Sequence, residues 1–550
     1  MRRHFNHFAQ KIFRGHRVIV TLTLCLFGLC MIQAVKKKDN RVYLVHADRL
    51  KYDVYVNPDA QILNGKVHFS HQGAELFCDS AHFYEASNSF EAFGHVKMVQ
   101  GDTLKLLSDY AYYDGNDQMA EARNHVILYH RQSRLETDSL NYDRLYGIGY
   151  FFDKGTMYDK TSVLRSDWGE YSTATRVAKF FYQVDLTDEQ YHLTSDTLYY
   201  NTATSEAHTI GPSDVVSGNS RIYTEDGYYN TSTEQSRMYG RSVLRNQGRS
   251  MVGDSVFHDN KTGESRAYAH VIYVDSVNKN MLTANYCYHN NMTGYAMATD
   301  SAVVIDFSQA DSLYMHADTL KLFTFNINTD SVYREIHAYN KMRAYRHDVQ
   351  AVADSLVYNT LDSCMTMYKD PIVWTNNQQL LGEVIRVWMK DSTIHKAHVD
   401  GQALSVEQLS DTIHYNQITS KEMFAYFHKG EIYETDANDN VQIIYYPIDE
   451  SDSTLIGLNY TETSKLKIFM ENRKMRRIWM PKAEGTLYPM TQIPSQKKFL
   501  PNYAWFAEIR PVDKEDIFVY RGKRAGTELK VVKRKSAPVQ YLKGKDHDNE

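Results

Sequence analysis

An acidic residue that opens an alternating run returns about every thirty residues, and this repeat constrains the fold more than any other feature of the chain. It is seen at Asp48 (ADRLKY), Asp79 (CDSAHF), Asp109 (SDYAYY), Asp138 (TDSLNY), Asp167 (SDWGEY), Asp196 (SDTLYY), Asp226 (EDGYY) and Asp254 (GDSVFH), at spacings of 31, 30, 29, 29, 29, 30 and 28. Further copies at Asn285, Asp318, Asp354, Glu383 and Glu422 are more widely spaced, as loop insertions would make them. Self-similarity at this period is the mark of a stacked array, in which each unit buries its apolar face only against its neighbours. A second phrase follows each acid by about fifteen residues, as in Gly65-Lys-Val67, Gly94-His-Val96, Asn124-His-Val126 and Ala269-His-Val271. Its period-two alternation reads as a strand, and the Gly, Asn or Ala before it reads as a bend. A third short strand precedes the next acid, so each unit holds two or three strands.

Composition agrees with this reading. The chain has 42 Tyr but only 27 Gly and 10 Pro, a balance that favours long strands. Only Pro58, Pro212 and Pro371 fall before residue 440, where nearly every backbone N–H has to serve a ladder, while seven prolines lie between Pro447 and Pro538. The predicted fold is all-β: an elongated β-jellyroll solenoid of about thirteen repeats. At 43% hydrophobic and 23% charged the chain is too apolar for disorder, and a net charge of -5 offers no footprint for nucleic acid. Arg2, Arg3, Lys11, Arg14 and Arg17 precede the apolar run Val18–Ala34, so residues 1–34 read as a signal peptide or an uncleaved membrane anchor. Cys78, Cys287 and Cys364 are too scattered for a disulfide framework.

Residues two and four after the acid share a face, which makes Leu50, Tyr52, Phe83, Leu140, Tyr142, Leu198 and Tyr200 inward candidates. The second phrase adds Val67, Phe69, Val96, Met98, Val126 and Leu128. Stacked copies enclose an apolar interior that is either a filled core or a groove able to line a lipid. The acid and the Ser or Thr beside it read as backbone-bonding elements at a strand entry. Asp79-Ser-Ala, Asp138-Ser-Leu, Asp196-Thr-Leu and Asp354-Ser-Leu also resemble an O-glycosylation triplet of exported proteins. His95, His125 and His270 fall on the outer face without a regular ligand partner, and a solvated row is the simpler reading than a metal site. There is no Gly-rich phosphate loop, nucleophile elbow or HExxH, so no catalytic residue, metal or cofactor is expected.

The unit running from Gly101 through Leu104, Asp109, Ala111 and Tyr113 to Asp114, together with Ala92-Phe-Gly94-His-Val96, resembles the OstA-like (LptA-like) family. That resemblance covers about residues 41–275 and continues in degenerate form over 276–440. It implies an open jellyroll in the periplasm, sheltering the acyl chains of lipopolysaccharide (lipid A) on the way to the outer membrane. The implied partners are transport components at the inner and outer membranes. Relatives that end in a membrane barrel need many more strands than residues 441–550 can supply. Residues 441–520 are expected to cap or dock, and 521–550 to form a basic disordered tail. The competing readings are a structural or adhesive surface solenoid with a filled core and a carbohydrate-active solenoid enzyme.

Overall fold

A chain with a corner built into almost every strand folds as a stack of bent hairpins, and this is the architecture found. The computed structural model describes residues 40–522 except 190, 391–392, 450, 452–453 and 472–473. The leader and residues 523–550 of the basic tail lie outside the described residues. Among the described residues strands make up 69% and short 3-10 turns 3%. The chain divides into two compact units, one ending at Asp188 and one beginning at Glu189.

In the first unit the strands Asn57–His71, Ala74–Tyr84, Ser89–Gln100, Leu104–Asp114, Met119–His130 and Ser133–Asp143 pair antiparallel in sequence order. Each pairing shifts register in the middle, for example between Phe93 and Val96. At that point the sheet folds over, so that one arm of every strand faces the other. Phe69 on the first arm stacks on Phe90 of the second, with centroids 4.2 Å apart. The run after Gly101 is therefore no separate strand: it is the first arm of Leu104–Asp114, whose second arm follows Asp109. A thirty-residue repeat is one hairpin of two bent strands.

The corner has a consistent chemistry. On alternate strands two successive residues take the left-handed conformation: Gly65–Lys66, Gly94–His95, Asn124–His125 and Tyr182–Gln183 in the first unit, and Gly240–Arg241, Ala269–His270, Asn340–Lys341, Lys369–Asp370 and Gly401–Gln402 in the second. On the neighbouring strand the repeated acid sits at the matching corner. Asp79 and Asp109 each place Oδ2 2.7 Å from Nδ1 of His95 and His125, and Asp254 does the same for His270. Asp318 and Asp354 receive Lys341 and Lys369 at 3.0 and 2.9 Å. The hydroxyl just before the acid donates across the corner to the carbonyl just after it, as Ser108 to Tyr110 (2.9 Å), Ser195 to Thr197 (2.9 Å) and Thr224 to Asp226 (3.1 Å). The acid thus marks the middle of a bent strand and not a strand entry. The Thr224 bond also moves one repeat: Glu225, and not Asp226, occupies the corner, which makes the spacings on either side 29 and 29.

In the second unit the same bent pairing runs through Glu206–Ser217, Ser220–Asn230, Gln235–Asn246, Arg249–Asp259, Glu264–Asp275 and Asn280–Asn290. Beyond that the two arms separate into shorter strands. They fuse again in Thr393–Gln408, Tyr415–His428, Glu431–Tyr445 and Gly457–Glu471. The sheet continues to Glu484–Pro489, past residue 440, so the non-sheet segment begins only there. That segment lies along the outer face of the first arm. Leu500, Phe506 and Ile509 pack with Ile372, Trp374, Leu381, Leu404, Val406 and Ile444. Gln379 receives the Phe506 N–H (2.8 Å) and donates to the Ala504 carbonyl (2.9 Å), while Gln417 holds Leu500 and Lys498 in the same way at 2.9 and 3.0 Å. An unbroken apolar run such as Ile372-Val-Trp374 is what a strand covered on both faces requires.

Three outcomes follow. Gly94→Ala would put a Cβ 2.5 Å from Asp79 Oδ2 at a φ of +72°, so the urea midpoint should fall by the equivalent of about 1–3 kcal/mol. Tyr182→Gly relieves an exposed non-glycine residue at φ +62° and should leave that midpoint unchanged or raise it by up to about 1 kcal/mol. Gln379→Ala removes the anchor of this C-terminal strap and leaves the Phe506 N–H and the Trp374 Nε1–H buried without their acceptor, which should cost about 1–3 kcal/mol in the same measurement.

Candidate functional site

The interior between the two arms collects the inward apolar side chains of successive repeats, so the sheet's inward face is the candidate site. In the first unit, cross-strand register aligns Phe69, Leu76, Met98, Leu106, Leu128 and Leu135 in one row on the first arm. All are at most 5% exposed. Of the thirteen residues the sequence singled out, Val67, Phe69, Phe83, Val96, Met98, Val126, Leu128, Leu140 and Tyr142 are buried in this unit and Leu198 and Tyr200 in the second. Leu50 and Tyr52 are 57% and 60% exposed. They lie on Arg49–Asp53, which pairs only with the second strand arm at Leu63 and Gln61 and has no described strand beyond it. The first unit's interior is thus filled by its own side chains.

Its mouth is also fastened. The His71 Nδ1 and Tyr113 hydroxyl are 2.7 Å apart, joining the tips of opposite arms, and the next copy joins His130 to Tyr171 at 2.7 Å. Arg144, in the turn after Ser133–Asp143, donates to the Tyr113 hydroxyl (2.5 Å), to Gln100 Oε1 (3.3 Å) and to the Gln72 carbonyl (3.5 Å). Because the Tyr113 oxygen accepts from Arg144, its own proton points to His71 Nδ1, which assigns the His71 proton to Nε2. Asn40 crosses the same mouth, accepting from Gln72 (2.7 Å) through its side chain and from Asn88 (2.7 Å) through its carbonyl.

The second unit is different. Its inward row on the first arm, Val215, Ile222, Leu244, Met251, Tyr273 and Leu282, is continuous in register but only half-buried. Ile222, Leu244 and Met251 rest on a small cluster of Met238, Val256, Ala267 and Val271 near the corner. On the second arm the facing positions carry Tyr229, Ser236, His258 and Ser265. Toward the corner the groove is dry, and toward its mouth it is accessible, with an apolar wall and a polar one. None of that half-buried row was among the sequence candidates. The signal was present, since Leu244 and Tyr273 stand two residues after Ser242 and Val271, as Met98 does after Val96.

Other features sort into structure. The carboxylate of Asp79 beside His95 and that of Asp109 beside His125 raise both imidazoles above their usual range, and each pair is exposed. They hold corners. Burial drives the Cys78 thiol up to about 12, so it behaves as a small core residue. Ser139, the acceptor of one glycosylation-like triplet, is 2% exposed and out of reach in the folded chain.

The His130–Tyr171 link sets a pH expectation. Burial, then Arg131 and Arg176, lower the His130 pKa below 6.5, so the folded state favours neutral imidazole. The unfolded chain takes up the proton first as pH falls through 6.5, and the link is at full strength above that value and weakens below it. Hydrogen exchange of the Leu128–His130 amides, corrected for intrinsic rates, should be faster at pH 5.5 than at 7.5, and His130→Gln should abolish the difference.

Comparison with known proteins agrees with this architecture. No curated protein matches the chain. Residues 39–196 match the family model described as OstA-like protein. The family is a periplasmic transport and binding family associated with lipopolysaccharide transport. The matched stretch contains the acid-faced corners from Asp48 to Asp196 and the clasped interior between them, and over residues 39–196 the chain is similar to the OstA-like family.

Proposed function

We propose that the protein is a non-enzymatic carrier that shelters the acyl chains of lipopolysaccharide between the arms of its bent sheet. The half-buried row Ile222, Leu244, Met251, Tyr273 and Leu282 carries this reading. It presents inward apolar surface that the second unit's own side chains leave partly uncovered. Hydrocarbon laid against it gains about 0.8 kcal/mol per CH₂ withdrawn from water, enough to hold an acyl chain without covalent chemistry. The polar wall at Tyr229, His258 and Ser265 keeps the mouth wettable for a sugar head group. In the first unit the same row is closed, so chains enter there only if the clasps open. The residues named from the sequence, among them Met98, Leu128, Leu140 and Tyr142, would then line the path. The filled first unit also suits a structural or adhesive solenoid, and one experiment separates the two.

Photo-crosslinking residues placed at Leu244 and Met251 should give adducts with a lipid A-containing glycolipid in cells, and those at Met98 and Leu128 weaker ones. The outward positions Lys97 and Asn141 should give none. Labelling that is absent everywhere, or equal on both faces, would leave the rigid solenoid as the better description.

A further inference from the structure

Arg144 is 7% exposed, and every hydrogen bond its guanidinium makes goes to a neutral group: the Tyr113 hydroxyl, Gln100 Oε1, the Gln72 carbonyl and, at 3.4 Å, His71 Nδ1. Among the described residues no carboxylate forms an ion pair with it. Its neighbour Asp143 directs its carboxylate to the turn N–H groups of Leu145 and Tyr146, at 2.9 and 3.0 Å. A guanidinium removed from water ordinarily faces an anion, because neutral acceptors replace its hydration without answering its charge. Here the fold leaves that charge unanswered.

The position of the charge is equally specific. The Tyr113 ring touches Phe90 (5.3 Å), and Phe90 stacks on Phe69 (4.2 Å). The guanidinium therefore sits at the tip of the arms directly above the apolar interior, where an amphiphile with hydrocarbon inside and an anionic head at the mouth would place its charge.

We propose that Arg144, together with Tyr113 and His71, is the receptor for a phosphate group on the head of the carried lipid. This rests on the carrier reading and adds the chemistry that recognises the cargo. The planar fork of arginine matches two phosphate oxygens, and the Tyr113 O–H, turned from His71, reaches a third. A carboxylate offers only two. The bonds that Arg144 now makes to Tyr113, Gln100 and Gln72 are among those joining the arms, and the Tyr113 O–H that turns to the phosphate leaves His71, so a phosphate that takes over the guanidinium also loosens the mouth. Head-group recognition and access to the interior become one event.

The test uses the full chain with lipid A and with the same lipid A stripped of its phosphates, and adds inorganic phosphate as a separate ligand. The expected result is about tenfold tighter binding of the phosphorylated form. Arg144→Gln should bring the two forms within about twofold, the ratio being the readout because loss of the clasp bonds acts on both lipids alike, with circular dichroism confirming the fold. Arg144→Lys, which keeps the charge but loses the fork, should give an intermediate ratio and serves as the probe if Arg144→Gln does not fold. A preference that survives both substitutions overturns the proposal, as does a wild type that binds both lipids equally, a result that leaves the carrier reading intact. Inorganic phosphate that binds at Arg144 while neither lipid binds would mean an ion site only, and the carrier reading would fall with the proposal.

Discussion

Everything in this molecule depends on turning the backbone sharply in the middle of a strand without losing the ladder. Two successive left-handed residues do this on one strand, and on the next a carboxylate and a hydroxyl hold the matching corner. Left-handed backbone is unfavourable for most side chains, yet Lys66, His95, Tyr182, Arg241 and Lys369 adopt it. The corners persist because they are fixed from both sides: by the pairing that resumes beyond the bend and by an acid that bonds the corner residue itself. With the corner fixed, the two arms face each other, the period-two alternation points one set of side chains into the gap, and an interior exists.

What fills that interior then decides between scaffold and site. In the first unit the inward row is Phe, Leu and Met and is closed by His–Tyr links across the mouth. In the second unit the corner positions shrink to Ser213, Ser242 and Gly227, the packing thins, and the row above them stays half open. One backbone plan thus yields a sealed stretch and an accessible one through side-chain volume alone.

Much of this was legible in the sequence. The thirty-residue period, the all-β fold and the bend before Val67, Val96, Val126 and Val271 follow from spacing and alternation, and eleven of the thirteen proposed inward residues are buried. The remainder depended on facts that pattern does not encode. Asp226 and Glu225 are adjacent acids, and only the Thr224 bond tells which one stands at the corner. Leu50 and Tyr52 have the right phase, but their strand is the outermost described rung and both side chains stay exposed. The clasps join residues 42 and 41 apart, and Arg144 lies in a turn where alternation says nothing. The strap was readable as a change in proline use, but its seat on the outer face required knowing that Trp374 and Leu381 project away from the groove.

That strap gives the chain a sense of time. Ribosomes deliver the polypeptide from its N-terminus, so the hairpins around Ile372, Trp374 and Leu404 can assemble before Leu500, Phe506 and Ile509 exist to cover them. Until the last stretch arrives, a completed sheet carries an uncovered greasy outer wall, with Gln379 and Gln417 spaced across it and their bonds to the last stretch unmade. A chain broken off early would keep that wall for life and would carry on its surface a record of being unfinished, legible to any chaperone or protease that reads exposed hydrocarbon.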